Sequence, residues 1–266
     1  MSFLAALRFL TIIPIPGRRG GSPEELGRST SYFPVIGAMV GLSLAALSWL
    51  FGLILPSAIV NMLLIVYLVV ISGALHLDGL VDTCDGIVGK KTVEERWQVM
   101  DDSHAGSFGV IGVFCLLLAK YVSLSSVPEH WLLMTLVLMP VVSRWAMVYA
   151  IFAYPYARPS GLGKVFKQGA SWRSFTVATV ITLAVIIGLT WWANIAYFYL
   201  VSIVLMCSIW AIVALMVIYL KHKFTGLTGD TYGAINEVVE VSVLILVSML
   251  AYNQWLWLAW LGGILV

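Results

Sequence analysis

Long apolar segments alternate with short polar ones along most of the chain. Seven segments are apolar over about 17–26 residues, close to the roughly 20 that a helix needs to cross a ~30 Å hydrocarbon core. They are Phe33–Leu55, Ile59–Leu75, Phe108–Val127, Trp131–Ala153, Phe175–Trp191, Ile195–Leu220 and Ile235–Tyr252. None alternates strictly between apolar and polar residues, so the pattern does not favour a β-barrel. It predicts an all-α, polytopic integral membrane protein with about seven transmembrane helices.

The two ends of the chain fit this pattern less well. Phe3–Ile15 is apolar, but it is too short to span a membrane and contains Arg8 and Pro14. We predict a short N-terminal helix there, interfacial or re-entrant. Trp255–Val266 is also short, and an eighth span, a partial span and an interfacial tail all stay open, which gives a range of six to eight helices. Residues 1–266 are predicted to form one membrane-embedded domain.

Composition supports the membrane assignment. Hydrophobic residues make up 61% of the 266 residues and charged residues 11%, with a mean hydropathy of +0.98. Soluble domains have about 45–50% apolar and about 25% charged residues. These values exclude a disordered chain, a disulfide-stabilised secreted domain and an ordinary soluble globule. The net charge of +2 gives no indication of nucleic-acid binding, and the three cysteines have no paired spacing.

Lysine and arginine indicate the orientation. With seven alternating spans, thirteen basic residues fall on one side of the membrane and none falls in the loops of the other side. They are Arg8, Arg18, Arg19, Arg28, Lys90, Lys91, Arg96, Arg158, Lys164, Lys167, Arg173, Lys221 and Lys223. The positive-inside rule makes this side cytoplasmic. Most acidic residues fall on the same side, so we predict a multi-pass protein of the cytoplasmic (inner) membrane with its active site facing the cytoplasm.

An aspartate stripe follows the second apolar segment. Asp78, Asp82 and Asp85 are spaced i, i+4 and i+7, which places three carboxylates on one face of a helix. They repel one another, and clustered hard oxygen ligands suit Mg²⁺, Mn²⁺ or Ca²⁺. Gly79 and Gly86 leave room beside the stripe for a neighbouring helix or a ligand. A divalent-metal site for phosphates is the favoured interpretation. A solvated helix end and a proton or cation pathway stay open.

Two further polar clusters lie next to apolar segments. Asp102 and Ser103 precede the third segment, where Asp102 is a candidate metal ligand or general base and Ser103 a candidate phosphate contact beside a helix N-terminus. Asp230, Asn236 and Glu237 lie in a glycine-rich loop and the start of the seventh segment, where acidic residues are rarely without a purpose. The alternative for both clusters is helix capping and bonding between helices.

Two arginines are candidate anion-binding residues. Arg144 lies inside the fourth segment, where it needs a carboxylate or phosphate partner; a structural ion pair is the alternative. Arg158 lies in a loop with Lys164 and Lys167, which either grips an anionic substrate or only sets the topology. Asp82-x-x-Asp85-Gly86 also matches the opening of the CDP-alcohol phosphotransferase signature, but the later Gly/Asp part of that signature is missing.

In chain order, these segments resemble the cobalamin synthase family, the adenosylcobinamide-GDP ribazoletransferases. The matching segments are Phe9–Pro16, Phe33–Gly37, His76–Gly86, Asp102–Ser103 with Gly106–Gly109, Ser143–Trp145, Tyr156–Arg158 and Gly226–Ala234. Cys84, Asp101 and His104 depart from the family pattern, which tends to have alanine, lysine and arginine there. The resemblance covers nearly the whole chain.

The resemblance implies a Mg²⁺-dependent membrane transferase. It would join the GDP-activated corrinoid adenosylcobinamide-GDP to α-ribazole or its 5′-phosphate, release GMP and form adenosylcobalamin or its 5′-phosphate. Membrane lipid is an expected partner, nucleic acid is not, and a homo-oligomer stays open. The rival hypotheses are another membrane phosphotransferase of CDP-alcohol type and a cation-coupled transporter.

The residues and the resemblance together give a predicted site. The predicted metal ligands are Asp78, Asp82, Asp85 and Asp102, and the predicted catalytic residues are Asp82, Asp102 and Glu237. The predicted substrate-binding residues are His76, Ser103, Arg144, Arg158, Asp230 and Asn236.

Overall fold

A computed structural model describes residues 2–15, 22–88, 92–102 and 104–253. The helices in these ranges are α1 (Ser2–Leu10), α2 (Pro23–Ser29), α3 (Phe33–Gly52), α4 (Ser57–Ile71), α5 (Leu75–Ile87), α6 (Val93–Met100), α7 (Ser107–Ser125), α8 (Glu129–Ala153), α9 (Leu162–Gly169), α10 (Trp172–Trp192), α11 (Phe198–Phe224) and α12 (Gly229–Tyr252). A 3₁₀ turn, Thr30–Tyr32, joins α2 to α3. The described ranges form no β-sheet, and the prediction of an all-α protein is confirmed.

The long helices are apolar enough to cross a membrane. Six candidate spans lie in the described ranges: α2 and α3 together as Pro23–Gly52, then α7, α8, α10, α11 and α12. Helices α4 and α5 pass the same test only as a pair bent by 87°, which makes seven spans if the pair is counted once. This agrees with the predicted polytopic membrane protein of about seven helices. Trp255–Val266 lies outside the described residues.

Two predicted boundaries are wrong for local reasons. The second apolar segment does not continue to Leu75, because α4 ends at Ile71 and the backbone then turns sharply through Gly73 (φ 62°) and Ala74 (φ 57°). Helix α12 begins at Gly229, before the apolar segment does, because Thr228 caps it and exchanges bonds with Thr231 in a capping box. Hydropathy marks where a helix becomes apolar, and polar capping residues mark where it begins.

Helix α8 lies at the centre of the bundle. It packs against α3, α10 and α12, and most of its side chains are buried. Gly37 and Gly41 of α3 lie so close to α8 that an added Cβ atom would come within 2.4 Å of the Pro140 carbonyl oxygen and 2.5 Å of Val137 Cα. The two glycines therefore allow α3 and α8 to pack closely.

The shorter helices gather at one end of the bundle. The polar end, as we call it, consists of α5, α6, α9, the first turn of α12 and the loop of residues 154–161. Helix α1 is shorter than a span and packs against α2 and α3. Helices α2 and α9 touch backbone to backbone through Gly27 and Gly169, where an added Cβ atom on Gly27 would lie 1.8 Å from the Gly169 carbonyl oxygen. Phe9 of α1 and Phe166 of α9 line a cavity at the polar end.

Candidate active site

The site forms where α5 crosses the first turns of α12. A Cβ atom on Gly79 would lie 2.6 Å from the backbone oxygen of Asp230, and one on Gly233 would lie 3.1 Å from His76 Cα. These two glycines allow the helices to approach closely, as predicted for Gly79. The approach brings the start of the aspartate stripe beside Asp230, which lies far away in the sequence.

A cavity of about 580 Å³ lies beside this crossing. Four charged residues line it, and they come from three helices and one loop: Asp78, Asp101, Arg158 and Asp230. Arg158 Nη1 donates to Asp101 Oδ1 at 2.5 Å, and its Nη2 lies 3.4 Å from Asp230 Oδ2. The structure therefore brings together three predicted site residues, Asp78, Arg158 and Asp230, and adds Asp101.

Backbone pairing holds Arg158 in place. An isolated parallel bridge joins Tyr156 to Leu227, in which Ala157 N donates to the Leu227 carbonyl at 2.8 Å and Leu227 N donates to the Pro155 carbonyl at 2.9 Å. The arginine loop is thereby fixed to the segment that leads into α12. Burial and the nearby Asp230 raise the pKa of Tyr156, so its phenol stays neutral and able to donate a hydrogen bond.

Among the described residues, negative charge exceeds positive charge in this cluster. Asp82 is partly buried and lies within range of the like charges of Asp230 and Asp78 and, more weakly, of Asp85. Arg158 is the cation that acts on Asp82 from the described part of the chain. Carboxylates grouped in this way repel one another unless a cation or a protonated ligand group joins them. The cluster is suited to binding a cation or a cation–phosphate complex.

Asp85, a predicted metal ligand, caps a neighbouring helix instead of joining the other aspartates. Its Oδ2 accepts a bond from Gly106 N and its Oδ1 from Gly109 N, both at 2.8 Å. Both oxygens thereby satisfy backbone N–H groups at the start of α7, which would otherwise lack partners. Asp85 binds there because a carboxylate at a helix N-terminus is stabilised by the positive end of the helix dipole.

Asp102, predicted as a metal ligand and catalytic residue, lies apart from the aspartates that line the cavity. Its side chain is 58% exposed, lies 2.7 Å from His104 Nδ1, and does not line the cavity. The hydrogen bonds from His104 hold the pKa of Asp102 below its ordinary value. The predicted partner Ser103 lies outside the described residues.

The oxygen ligands at the polar end suit magnesium, with one correction. Within the described ranges, no three His, Cys, Asp or Glu side chains are grouped closely enough to hold one metal ion, so the predicted four-aspartate cage does not form. Magnesium commonly takes one or two protein carboxylates and completes its octahedral shell with water and substrate phosphate oxygens. Asp78 and Asp230, which line the cavity, can supply two carboxylates to an ion that is shared with a phosphate substrate, whereas Asp82 lies beside them outside the lining.

Two other predicted site residues belong to a buried ion network within the bundle. Lys120 Nζ lies 2.7 Å from Glu237 Oε2 and 2.5 Å from Glu240 Oε2, and Arg144 pairs with the other oxygen of Glu240. All four side chains are 5% exposed or less. The roles predicted for Glu237 as a catalytic residue and for Arg144 as a substrate contact are therefore not supported. Each already has its charge neutralised, and neither lines the cavity.

Asn236 connects this network to the cavity. Its amide nitrogen lies 3.2 Å from Glu240 Oε1 and 3.2 Å from Nδ1 of His76. His76 lines the cavity, whereas Asn236 lies behind it. The structure thus joins two predicted substrate-binding residues and places only His76 at the cavity surface.

Comparison with known proteins gives the family. A match to the family described as cobalamin-5-phosphate synthase covers residues 2–248. The chain belongs to the cobalamin-5-phosphate synthase family. An adenosylcobinamide-GDP ribazoletransferase of Geotalea daltonii is 37% identical over 246 residues, covering 91% of this chain and 94% of the relative.

Other members of the family agree. The protein of the same description from Roseiflexus sp. is 36% identical over 241 residues, covering 90% of this chain and 86% of the relative. The one from Desulforamulus reducens is 34% identical over 247 residues, covering 92% and 95%. No solved structure matches the chain. The predicted family and enzyme class, a membrane transferase of cobalamin synthesis, are confirmed.

Several residues lining the cavity of this family member were not predicted as site residues. Trp97, Phe166 and Tyr232 line it, as does Asp101. Asp101 is next to Asp102 in the sequence, but the end of α6 directs Asp101 toward Arg158 and leaves Asp102 with His104. Tyr232 could have been a candidate, because it lies in the glycine-rich segment, two residues after Asp230.

Proposed function

We propose that this protein is an adenosylcobinamide-GDP ribazoletransferase. It transfers the cobinamide phosphate of its GDP-activated substrate to α-ribazole or α-ribazole 5′-phosphate and releases GMP. The observation that carries the proposal is the excess of carboxylates beside Arg158 at the polar end. Charged substrate phosphates and a divalent cation would balance that excess, and relatives across nearly the full length carry the same description.

The reaction needs one bond to form and one to break. A ribose hydroxyl oxygen attacks the phosphorus that carries the cobinamide, and the bond from that phosphorus to the GMP oxygen breaks. GMP leaves with the electron pair, and the hydroxyl proton goes to a base. Phosphoryl transfer of this kind depends mostly on positioning and on stabilising charge around the phosphorus.

The residues take separate roles in this proposal. Asp78 and Asp230 would hold Mg²⁺, which would supply positive charge to the pyrophosphate. Arg158 leaves its carboxylate partners and binds a phosphate oxygen, for which its planar guanidinium is well suited. Asp82 lies within the carboxylate cluster and is only partly buried, which suits it to accept the hydroxyl proton.

The polar end faces the cytoplasm in this proposal. Three basic residues lie there, Arg158 in the loop and Lys164 and Lys167 on α9, whereas Glu129 begins α8 at the opposite end. By the positive-inside rule, the cavity would open to the cytoplasmic side of the inner membrane. Water-soluble nucleotide substrates would then reach it without crossing the bilayer.

Turnover by the purified protein tests the proposal. The full chain is given GDP-activated cobinamide, α-ribazole and Mg²⁺, and GMP and the cobamide product are measured together. Equal amounts of both products, absent without α-ribazole and abolished by a metal chelator, support the proposal. A protein that makes no cobamide, or that releases GMP independently of α-ribazole, contradicts it.

A further inference from the structure

Two chemically different kinds of side chain line the cavity. One kind is charged and partly or fully exposed, namely Asp78, Asp101, Arg158 and Asp230. The buried part of the lining, as we call it, includes apolar side chains that are at most 2% exposed, namely Met147, Ile151 and Phe166. Phosphates suit the charged side chains, and a flat apolar group suits the buried part of the lining.

Two polar side chains also belong to the buried part of the lining. His76 is 2% exposed and Tyr232 is 3% exposed, and both line the cavity. Neither His76 Nε2 nor Tyr232 Oη has a hydrogen-bond partner in the described part of the chain. A buried polar atom without a partner is destabilising and needs an explanation. A ligand in the cavity is the simplest source of the two missing partners.

The hydrogen bonds behind the cavity define which atom of His76 carries the proton. Glu240 bonds to both Lys120 and Arg144, so its carboxylate is fixed and can only accept hydrogen bonds. The amide group of Asn236 must therefore present its nitrogen to Glu240, and the same nitrogen then donates to Nδ1 of His76. An Nδ1 atom that accepts is unprotonated, so Nε2 carries the hydrogen.

The missing partner of His76 is therefore a hydrogen-bond acceptor. Because Met147, Ile151 and Phe166 in the buried part of the lining are apolar, the part of the ligand that carries the acceptor is otherwise apolar. A free ring nitrogen of a heteroaromatic base meets both requirements, whereas a phosphate or a sugar hydroxyl meets only the first. The buried ion network thus acts on the cavity indirectly, since it orients Asn236 and thereby His76.

The size of the cavity separates the two substrates. A volume of about 580 Å³ lies within the range of pockets for drug-sized ligands. A ribonucleoside with a benzimidazole base fits such a space, whereas a GDP-activated corrinoid, with its macrocycle and nucleotide, is several times larger. Only part of the corrinoid substrate would reach this cavity, and that part is the pyrophosphate, beside the charged side chains of the lining.

We infer that the buried part of the cavity lining binds the planar base of the acceptor nucleoside, with His76 Nε2–H donating a hydrogen bond to a free ring nitrogen and Tyr232 Oη bonding to the same ligand. The inference rests on the proposed function, because it assigns the second substrate of that reaction to a position. His76 is then a specificity-determining residue, and Asn236 and Glu240 are positioning residues.

A pair of nucleosides tests the contact without requiring catalysis. Binding of α-ribazole is compared by calorimetry with binding of an analogue in which CH replaces the free ring nitrogen, using the full-length wild type and His76→Ala. Wild type should bind the analogue roughly tenfold more weakly, as expected for one lost hydrogen bond, and His76→Ala should bind both nucleosides equally. Equal discrimination by the two proteins, or no binding of α-ribazole to the wild type, overturns the inference.

A gentler substitution covers the case in which His76→Ala does not fold. Tyr232→Phe removes only an oxygen that has no partner in the described chain, so folding does not depend on it. We expect a roughly three- to tenfold higher KM for α-ribazole and an unchanged KM for the GDP-activated corrinoid. Tyr67→Phe is the matched control, because the hydroxyl of Tyr67 bonds to Ser43 of α3 and lies outside the cavity.

The two kinetic outcomes separate this inference from the proposed function. A wild type that releases GMP while Tyr232→Phe leaves both KM values unchanged contradicts the inference alone. So does a change confined to the corrinoid KM. A wild type that forms no cobamide contradicts the proposed function, and the calorimetric comparison of the two nucleosides still decides whether the cavity binds the base.

Discussion

The chain contains two groups of charged side chains, and they differ in whether their charges cancel. The buried ion network pairs Lys120 and Arg144 with Glu237 and Glu240, two cations with two anions, all at most 5% exposed. The cluster at the polar end sets Arg158 against Asp78, Asp82, Asp101 and Asp230, one cation with four anions.

This difference in charge balance distinguishes structural from functional charges in a membrane protein. Charges in a low-dielectric interior are tolerated when each has a partner, and such a set has no capacity left to bind a ligand. Carboxylates that outnumber their cations are not at their lowest energy alone. In the proposed function, the unbalanced cluster binds a cation and phosphates, and the balanced network serves as a support.

The largest expected effect comes from breaking the balanced network. Lys120→Met leaves Glu237 and one oxygen of Glu240 without their cation inside the bundle, and removal of one partner from a buried pair costs about 3–5 kcal/mol. We expect a strong loss of thermal stability, measured by unfolding of the purified protein in detergent.

A double variant controls for the loss of the lysine side chain itself. Lys120→Met combined with Glu237→Gln removes one charge of each sign, so part of the stability should return. A single variant that melts at the wild-type temperature would contradict the view that this network is structural.

The next largest effect tests whether the network depends on tight packing of α8, which carries Arg144. Gly37→Ala places a methyl group about 2.4 Å from the Pro140 carbonyl oxygen and should cost about 1–3 kcal/mol. Gly188→Ala is the control, because no atom lies within 4 Å of its added Cβ atom. In that helix the change should be neutral or stabilise by about 0.5–1 kcal/mol. Equal melting temperatures for the two variants would refute the packing argument.

Most of the fold could be predicted from the sequence, because each membrane-spanning helix is a long apolar segment that hydropathy detects. All seven apolar segments are helical, and α5 contains the aspartate stripe as its spacing indicated. The sharp bend at Gly73 and Ala74 was not predicted, since it depends on two left-handed residues of which only the glycine suggests such a conformation.

The sequence predicted the site only in part, because its polar residues were all candidates of the same kind. The i, i+7 spacing placed Asp85 with Asp78, but the N–H groups of Gly106 and Gly109, more than twenty residues later, bond to Asp85. Likewise, Arg144 and Glu237 were candidates because intramembrane charges are rare, and only the fold reveals that Glu240 and Lys120 neutralise them. Pairings between distant helices decide these cases.

The smallest expected effect concerns the exposed edge of the unbalanced cluster. Asp101→Asn removes the more exposed of the two partners of Arg158, and surface ion pairs contribute about 0–1 kcal/mol. We expect an unchanged melting temperature and a rate of GMP release within about fivefold of the wild type. A loss of activity as large as that caused by changes in the inner aspartates would show that Asp101 belongs to the reacting part of the cluster.

Substitution of Asp82 tests whether the carboxylate cluster at the polar end catalyses the transfer. The rate of GMP release at saturating Mg²⁺ and α-ribazole is measured for Asp82→Asn, with Glu94→Gln as a control for an exposed acidic residue at the polar end. We expect a loss of roughly 100-fold or more in the rate for Asp82→Asn and a wild-type rate for Glu94→Gln. The melting temperature of Asp82→Asn should be unchanged or higher, because the repulsion between Asp82 and the neighbouring carboxylates is relieved. Near-normal Mg²⁺-dependent GMP release by Asp82→Asn would contradict catalysis by this cluster.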